Sequence, residues 1–148
     1  IRDSLQDFPT LPDAWRDDAL ADKWAKLRTL RRVVTGALEI KRSDKSIGSS
    51  LQAEATLYAT EAYRRCCDGL HLPELFITSE AHFAEGDAPD DAFGLEEVSG
   101  VRVVIDPADG EKCARCWQVL AEVGKGPKHP DICARCADAV KLHQATAE

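Results

Sequence analysis

KCARCWQVLAEVGKGPKHPDICARC, residues 112–136, is the stretch that decides how the last part of this chain folds. It contains Cys113, Cys116, Cys133 and Cys136 as two Cys-Ala-Arg-Cys copies with sixteen residues between them. Two residues between a pair of cysteines let the chain turn so that both sulfurs face one ion. Two such knuckles supply four thiolates, which leave no open position for water or substrate. The spacing therefore predicts one structural Zn²⁺ ion.

Other uses of paired cysteines fit the sequence less well. Disulfides need an oxidising compartment, a redox Cys-x-x-Cys is not expected twice, and an iron–sulfur cluster usually has more closely spaced cysteines. His129 lies between the knuckles and could replace a ligand, but four cysteines make it unnecessary. The adjacent Cys66 and Cys67 are interpreted as small buried hydrophobic residues.

The segment before the knuckles has weaker signals. Most of residues 101–105 are β-branched, which predicts a strand, and the turn residues 106–110 follow it. Residues 75–79, earlier in the chain, form another short strand candidate, and 101–105 is the better of the two. Residues 86–94 are acidic and rich in Gly, Ala and Pro, which indicates a solvated loop.

The strongest helical signal lies nearer the start of the chain. Apolar residues recur every three or four positions and predict a helix over residues 18–43, with Asp17 and Asp18 at its start. Trp15 and Trp24 are expected in the core, and Gly36 need not break the helix. The residues of this apolar stripe are Leu20, Trp24, Leu27, Leu30, Val34, Ala37 and Leu38.

A second helix is expected after a short polar connection. Ser49 and Gln52 fit a capping box, and the face Leu51, Ala55, Tyr58 and Ala62 continues to about Cys67, before Gly69. Two such helices would form an antiparallel hairpin, which buries little without further helices. The fold class expected is α+β. It comprises a helical hairpin in residues 1–69, a small mixed α/β segment with an acidic loop in 70–110, and a four-cysteine zinc ribbon in 111–148.

Length and charge bound the function. The 148 residues include no methionine, so we expect a piece of a longer protein. The net charge of −7 is uneven: residues 1–50 carry +2, residues 51–110 carry −10 and residues 111–148 carry +1. Both flanks are thus slightly basic, but the acidic total argues against a general, high-affinity DNA-coating protein. No apolar run approaches the roughly 18 residues that cross a membrane.

The knuckle motifs, together with the upstream segments, resemble bacterial isoleucyl-tRNA synthetases. The similarity lies in Lys112–Trp117 and Cys133–Cys136, and also in Phe8-Pro9, Pro12, Trp15, Trp24 and the run Ile47–Leu51. It implies the end of a helical anticodon-binding region followed by the C-terminal zinc module. The family's HIGH and KMSKS signatures and its editing domain are absent, so the fragment should not be catalytic. ATP and isoleucine would bind to the missing catalytic domain.

The same resemblance implies a partner and a surface. The partner is the anticodon arm of isoleucine tRNA, bound by a cytoplasmic parent enzyme that is expected to be monomeric. Trp117 could stack on an unpaired base, but a plug under the zinc knuckle is the favoured interpretation. The residues proposed to contact tRNA are cations and one aromatic: Arg28, Arg31, Arg32, Arg42, Lys45, Arg115, Trp117, Lys125, Lys128 and Arg135.

Two other functions use a similar cysteine spacing. One is the zinc finger at the end of a DNA glycosylase, for which residues 124–128 could form the DNA-contacting hairpin. The upstream Trp/Leu helix and Trp117 do not fit that class, and we expect no DNA partner. The other is a zinc ribbon that binds only proteins, which is the general alternative for any pair of knuckles.

Overall fold

The computed structural model describes residues 9–146 of the chain. Within this range no helix is both long and apolar enough to cross a lipid bilayer. The start of the chain, residues 1–15, lies partly outside this range, as does Phe8 of the Phe8-Pro9 motif. Inside it, the segment contains one turn of 3₁₀ helix, Asp13–Trp15.

The first long element is the helix α1, Asp18–Ser43, which confirms the predicted bounds. The Asp17 carboxylate accepts a hydrogen bond from the Leu20 amide at 2.8 Å and caps the helix. The stripe from Leu27 to Leu38 is buried, but Leu20 is exposed and Trp24 is 42% exposed. Trp15 is 74% exposed, so the core positions expected for both tryptophans are wrong.

The predicted second helix is wrong, and so is the helical hairpin. Residues 50–52 form a single 3₁₀ turn, and β1 follows as Ala53–Ala59. Ala53, Ala55 and Leu57 are fully buried and alternate with half-buried polar residues, which is the two-residue period of a strand. The capping residue Gln52 instead accepts the Gly48 amide at 2.7 Å. A short helix, α2 (Glu61–Cys66), begins only after this strand.

The predicted strand over residues 75–79 is also wrong. Residues 72–76 form a helix, α3 (Leu72–Phe76), with Pro73 in its first turn, where the missing amide is not needed. Ile77 ends it with a positive φ of 60°, and β2 (Glu80–Phe83) follows. β3 (Val101–Pro107) confirms the strand predicted over residues 101–105 and extends it by two residues. The acidic segment between β2 and β3 holds one isolated bridge, Phe93 to Val103, as expected for a loop.

The three strands form one sheet in the order β2-β1-β3. β1 runs parallel to β2 and antiparallel to β3, with Ala55 opposite both Ala81 and Ile105. α1 lies on this sheet, and its Leu27, Leu30 and Val33 join the buried strand residues in one hydrophobic core. That core includes residues from both sides of position 70, although the division of the chain into domains stays a prediction.

The last part of the chain has its own small core. A two-stranded hairpin, β4 (Glu111–Lys112) and β5 (Val119–Leu120), precedes the helix α4, Ala134–Thr146. The cysteines pack there with Val123, Leu120 and Ile132. The structure is thus α+β, as predicted, with a ribbon-like module after the sheet.

The packing of α1 generates a direct stability test. Leu30→Ala removes a fully buried side chain and should lower the free energy of unfolding by about 2–5 kcal/mol, since it leaves a cavity. Leu20→Ala, on the same helix but exposed, should cost roughly 1 kcal/mol or less. Urea unfolding followed by circular dichroism measures both values. Equal losses would show that α1 does not pack on the sheet as described.

Candidate metal centre

Four sulfurs meet at one point between the hairpin and α4. The Sγ atoms of Cys113, Cys116, Cys133 and Cys136 all lie within 4.8 Å of one another, and those of Cys116 and Cys133 are 3.8 Å apart. Zinc–sulfur bonds of about 2.3 Å in a tetrahedron require sulfur–sulfur distances of about 3.8 Å. The number, type and proximity of the donors therefore fit a tetrahedral zinc ion.

The first knuckle is the turn between β4 and β5. The Cys113 amide donates to the Gln118 carbonyl at 2.9 Å, and the Trp117 amide donates to the Cys113 carbonyl at 3.0 Å. Trp117 closes the turn with a φ of 68°, in the left-handed region that few non-glycine residues adopt. This tight turn brings Cys116 back beside Cys113.

The second knuckle opens the helix α4. Cys133 directly precedes the helix and its carbonyl accepts the Ala137 amide at 2.9 Å, so Cys136 lies in the first turn. The Glu122 carboxylate accepts the Ala134 amide at 2.9 Å and caps this helix end from across the ribbon. A further backbone bond joins the two halves, from the Ala114 amide to the Asp131 carbonyl at 2.9 Å.

Electrostatics around the sulfurs favour thiolates at some positions and oppose them at others. Burial disfavours the Cys113 thiolate, but backbone amides, including those of Cys116 and Cys133, outweigh burial and lower the pKa of Cys113 to about 6. Burial instead raises the pKa of Cys133 to about 12. A cation at the centre would have to displace the Cys133 proton at neutral pH.

The arginine of each knuckle contacts a cysteine of the other knuckle. The Arg115 guanidinium donates to Cys136 Sγ at 3.5 Å, so the first knuckle supplies a charge to the second. A side-chain hydrogen bond with Cys116 raises the pKa of Arg135, the equivalent residue of the second knuckle. Four thiolates around Zn²⁺ would carry a net charge of −2, which these two arginines would offset. The repeated Cys-Ala-Arg-Cys sequence contained this signal, although both arginines were predicted only as tRNA contacts.

The structure places Trp117 on the surface. Its side chain is 60% exposed, and the Lys112 ammonium lies 5.3 Å from the ring centroid. The plug under the knuckle, which was the favoured interpretation, is therefore wrong. Lys125 and Lys128 are exposed beside the same module and line a cavity of about 500 Å³ against α4.

The other predicted contact residues form one face of α1. Arg28, Arg31, Arg32 and Arg42 are exposed, and the last three lie three, four and fourteen residues after Arg28, which places all four on one side of the helix. Arg32 pairs with Glu97 at 3.1 Å and Arg42 with Glu39 at 2.7 Å. Among the ion pairs of residues 9–146, none involves Arg28 or Arg31. Lys45 is exposed just after the helix, with a φ of 63°.

The remaining cysteines do not join the sulfur cluster. Cys66 and Cys67 are buried in the core of the sheet, which confirms their interpretation as small hydrophobic residues. Cys66 Sγ donates to the Tyr63 carbonyl at 2.9 Å. Burial raises the pKa of Cys67 to about 12, so that thiol is a poor nucleophile and ligand at neutral pH.

One comparison with known protein families matches only the ribbon. Residues 110–139 match the family described as "Zinc finger found in FPG and IleRS", a range that contains all four clustered cysteines. The finger alone does not separate the two groups of proteins in that description.

The rest of the chain is similar to isoleucine–tRNA ligases. The protein of that name from Brucella abortus (strain 2308) is 47% identical over 141 residues, which is 95% of this chain and 14% of the relative. Those from Mesorhizobium japonicum and Caulobacter vibrioides are 45% and 47% identical over 97% and 93% of this chain. The match lies in the C-terminal region of much longer proteins. The chain thus spans about 14–15% of the length of these relatives.

A single substitution tests the contact between Arg115 of the first knuckle and Cys136 of the second. Arg115→Ala should weaken zinc binding by about tenfold, because it removes a charged hydrogen bond to Cys136 Sγ from outside the ligand set. Competition with a colorimetric chelator measures the affinity. Lys128→Ala, which removes an exposed charge from the same module, is the control and should change little. Equal effects of both changes would reduce the role of Arg115 to net charge.

Proposed function

We propose that this chain is the tRNA-binding C-terminal part of an isoleucine–tRNA ligase, and that Cys113, Cys116, Cys133 and Cys136 hold one structural Zn²⁺ ion in it. The observation that carries the proposal is the cluster of four sulfurs within 4.8 Å inside a chain whose similarity to those ligases covers 95% of its length. The whole enzyme would attach isoleucine to its tRNA with ATP in the cytoplasm, as a monomer.

The zinc ion would have a folding role. The hairpin, the long loop and α4 share a core of only a few apolar residues besides the cysteines. Such a module does not bury enough apolar surface to fold alone, and metal binding supplies the missing free energy. Four thiolates complete the coordination shell, so the metal would take no part in the reaction.

The chemistry of amino-acid activation would belong to the remainder of the enzyme. This chain covers about 14% of the Brucella relative, and it lacks the HIGH and KMSKS signatures. ATP and isoleucine would therefore bind outside it. Its contribution would be to position the anticodon arm of the tRNA.

The RNA surface we propose combines α1 with the ribbon. Arg31 and Arg42 line a cleft whose wall includes Ile77. The next residue, Thr78, accepts a hydrogen bond at its carbonyl from Gln118, which adjoins the exposed Trp117. The basic face of α1 and the ribbon aromatic therefore lie on neighbouring parts of the molecule. Cations that follow the phosphates and an aromatic ring that stacks on an unpaired base are the usual parts of an RNA site.

The unpaired arginines are the stronger candidates within this surface. Arg28 and Arg31 carry charges that no carboxylate in residues 9–146 neutralises, whereas Arg32 and Arg42 would have to release Glu97 and Glu39. Arg115 and Arg135 already face thiolates. Lys45, Lys125 and Lys128 complete the proposed set at its edges.

A DNA glycosylase finger is the alternative that the finger description alone leaves open. The similarity to isoleucine–tRNA ligases argues against it, because that similarity extends through α1 and the sheet, outside residues 110–139. A titration against isoleucine tRNA and duplex DNA separates the alternatives. The ligase part should bind the tRNA, a glycosylase finger should bind the DNA, and a ribbon that binds only proteins should bind neither.

The metal proposal predicts a selective loss. Cys133→Ser should abolish stoichiometric zinc binding and unfold the ribbon, because it removes a buried ligand, while the separately packed sheet and α1 stay folded. Cys66→Ser, which changes a buried cysteine outside the cluster, should keep one zinc per chain. Elemental analysis and amide hydrogen exchange report the two effects. Zinc-free wild-type protein, or two disulfides among the four cysteines, would refute the proposal.

The RNA proposal predicts a loss of affinity that depends on salt. Arg28→Glu with Arg31→Glu in the full-length enzyme should weaken tRNA binding and lower the salt slope by roughly one unit per lost phosphate contact. Isoleucine-dependent ATP–pyrophosphate exchange should stay unchanged, because activation would occur in another domain. Fluorescence titration at several salt concentrations measures the slope.

Two controls define that result. Arg65→Glu makes one of the same charge reversals on α2, where Arg65 pairs with Glu61, and Asp90→Lys changes the exposed acidic loop. Both should leave tRNA affinity within about twofold of wild type if contact is local. Equal damage from controls and α1 variants would place the RNA elsewhere, and lost isoleucine activation would mean that α1 supports the catalytic domain.

A further inference from the structure

The ribbon meets the sheet at a junction built from two pairs of consecutive residues. The Gln118 side-chain amide donates to the Thr78 carbonyl at 3.2 Å, and the Val119 amide donates to Ser79 Oγ at 2.6 Å. Thr78 and Ser79 come between α3 and β2, whereas Gln118 follows the first knuckle and Val119 begins β5. The junction thus joins the start of a core strand to the metal-binding turn.

On the sheet side, Ser79 is fixed from three directions. Its hydroxyl donates to the Leu51 carbonyl at 2.6 Å while accepting from Val119, so both functions of the hydroxyl are used. Its backbone amide donates to the Ala53 carbonyl at 3.0 Å. Ser79 is 2% exposed, which makes these bonds hard to replace by water.

On the ribbon side, Gln118 is positioned by the first knuckle. Its backbone carbonyl accepts the Cys113 amide at 2.9 Å. One residue therefore contacts both the metal-binding turn and the sheet. If the knuckle loses its metal, the turn that holds Gln118 loses its main stabilising interaction.

We infer that Gln118 and Ser79 form a latch that couples metal occupancy of the four-cysteine site to docking of the ribbon on the sheet. The latch is defined by the Gln118–Thr78 and Val119–Ser79 hydrogen bonds. With metal bound, the knuckle presents Gln118 and Val119 at the spacing that Thr78 and Ser79 accept. Without metal, the ribbon leaves the sheet, and Trp117 loses its fixed place relative to α1. This inference rests on the zinc binding proposed above and assigns residues outside the ligand set a role in it.

Coupling of this kind acts in both directions. If metal favours docking by some factor, docking favours metal by the same factor, since the two equilibria are linked. A change on the sheet side of the latch must therefore weaken zinc binding, although Ser79 contacts none of the four sulfurs. A serine that merely stabilised the sheet would lower the free energy of unfolding and leave the zinc affinity unchanged.

The first test uses that reciprocity in the 148-residue chain. Ser79→Ala should weaken zinc affinity by about fivefold or more, measured by competition with a colorimetric chelator under reducing conditions. Thr78→Val is the matched control: Thr78 is equally buried, its hydroxyl has no partner among residues 9–146, and its backbone carbonyl remains. An affinity of Ser79→Ala within about twofold of wild type would overturn the latch.

The second test approaches the latch from the ribbon. Gln118→Ala loaded with zinc should exchange its Val119 amide at least about tenfold faster than loaded wild type, while the Ala137 amide inside α4 stays protected. That pattern is a folded but undocked ribbon. Gln144→Ala, on the exposed surface of α4, is the control and should match wild type. Unchanged Val119 exchange in Gln118→Ala would contradict the latch.

The two proposals fail separately. Wild-type chain that binds no zinc would refute the metal site, and the latch with it. Wild-type chain that binds zinc normally, with Ser79→Ala binding equally well and Val119 equally protected in Gln118→Ala, would refute the latch alone.

Discussion

The convergence of four cysteine sulfurs on one point is the constraint on which the end of this molecule depends. Each knuckle needs a tight turn. In the first turn, Trp117 adopts a positive φ, a backbone conformation that few non-glycine residues adopt. The apolar contacts in this module are few. A cation at the centre would offset the strained turn and the small number of apolar contacts through its bonds to the four cysteines. The same bonds would remove the repulsion between the thiolates.

That constraint reaches beyond the ribbon. The turn that aims Cys113 and Cys116 also orients Gln118 toward Thr78, and places Trp117 on the surface. The arginines of the repeated motif would offset the charge of the thiolates, Arg115 at Cys136 and Arg135 at Cys116. In our account, the metal thus has no chemical role in the reaction, but it determines where an aromatic ring and several cations stand relative to the basic face of α1.

Sequence patterns predicted the parts governed by local chemistry. The cysteine spacing, the capped α1 and the β-branched strand β3 each carry a signal that neighbouring residues suffice to explain. The failures lie where tertiary contacts decide. Ala55 fits the helical face that it would share with Leu51 and Tyr58, but it fits a strand face with Leu57 as well, and pairing with β3 selects the strand. Trp117 and Ser79 likewise carry no sequence signal for their positions, because exposure and a hydroxyl bridge across 40 residues depend on the complete fold.

X-ray absorption at the zinc edge, on freshly purified protein, is the sharpest test of the four-sulfur metal site. We expect one zinc per chain, surrounded by four sulfurs at about 2.3 Å, with no nitrogen or oxygen in the shell. A shell containing nitrogen or oxygen, or protein that carries no zinc, would contradict it.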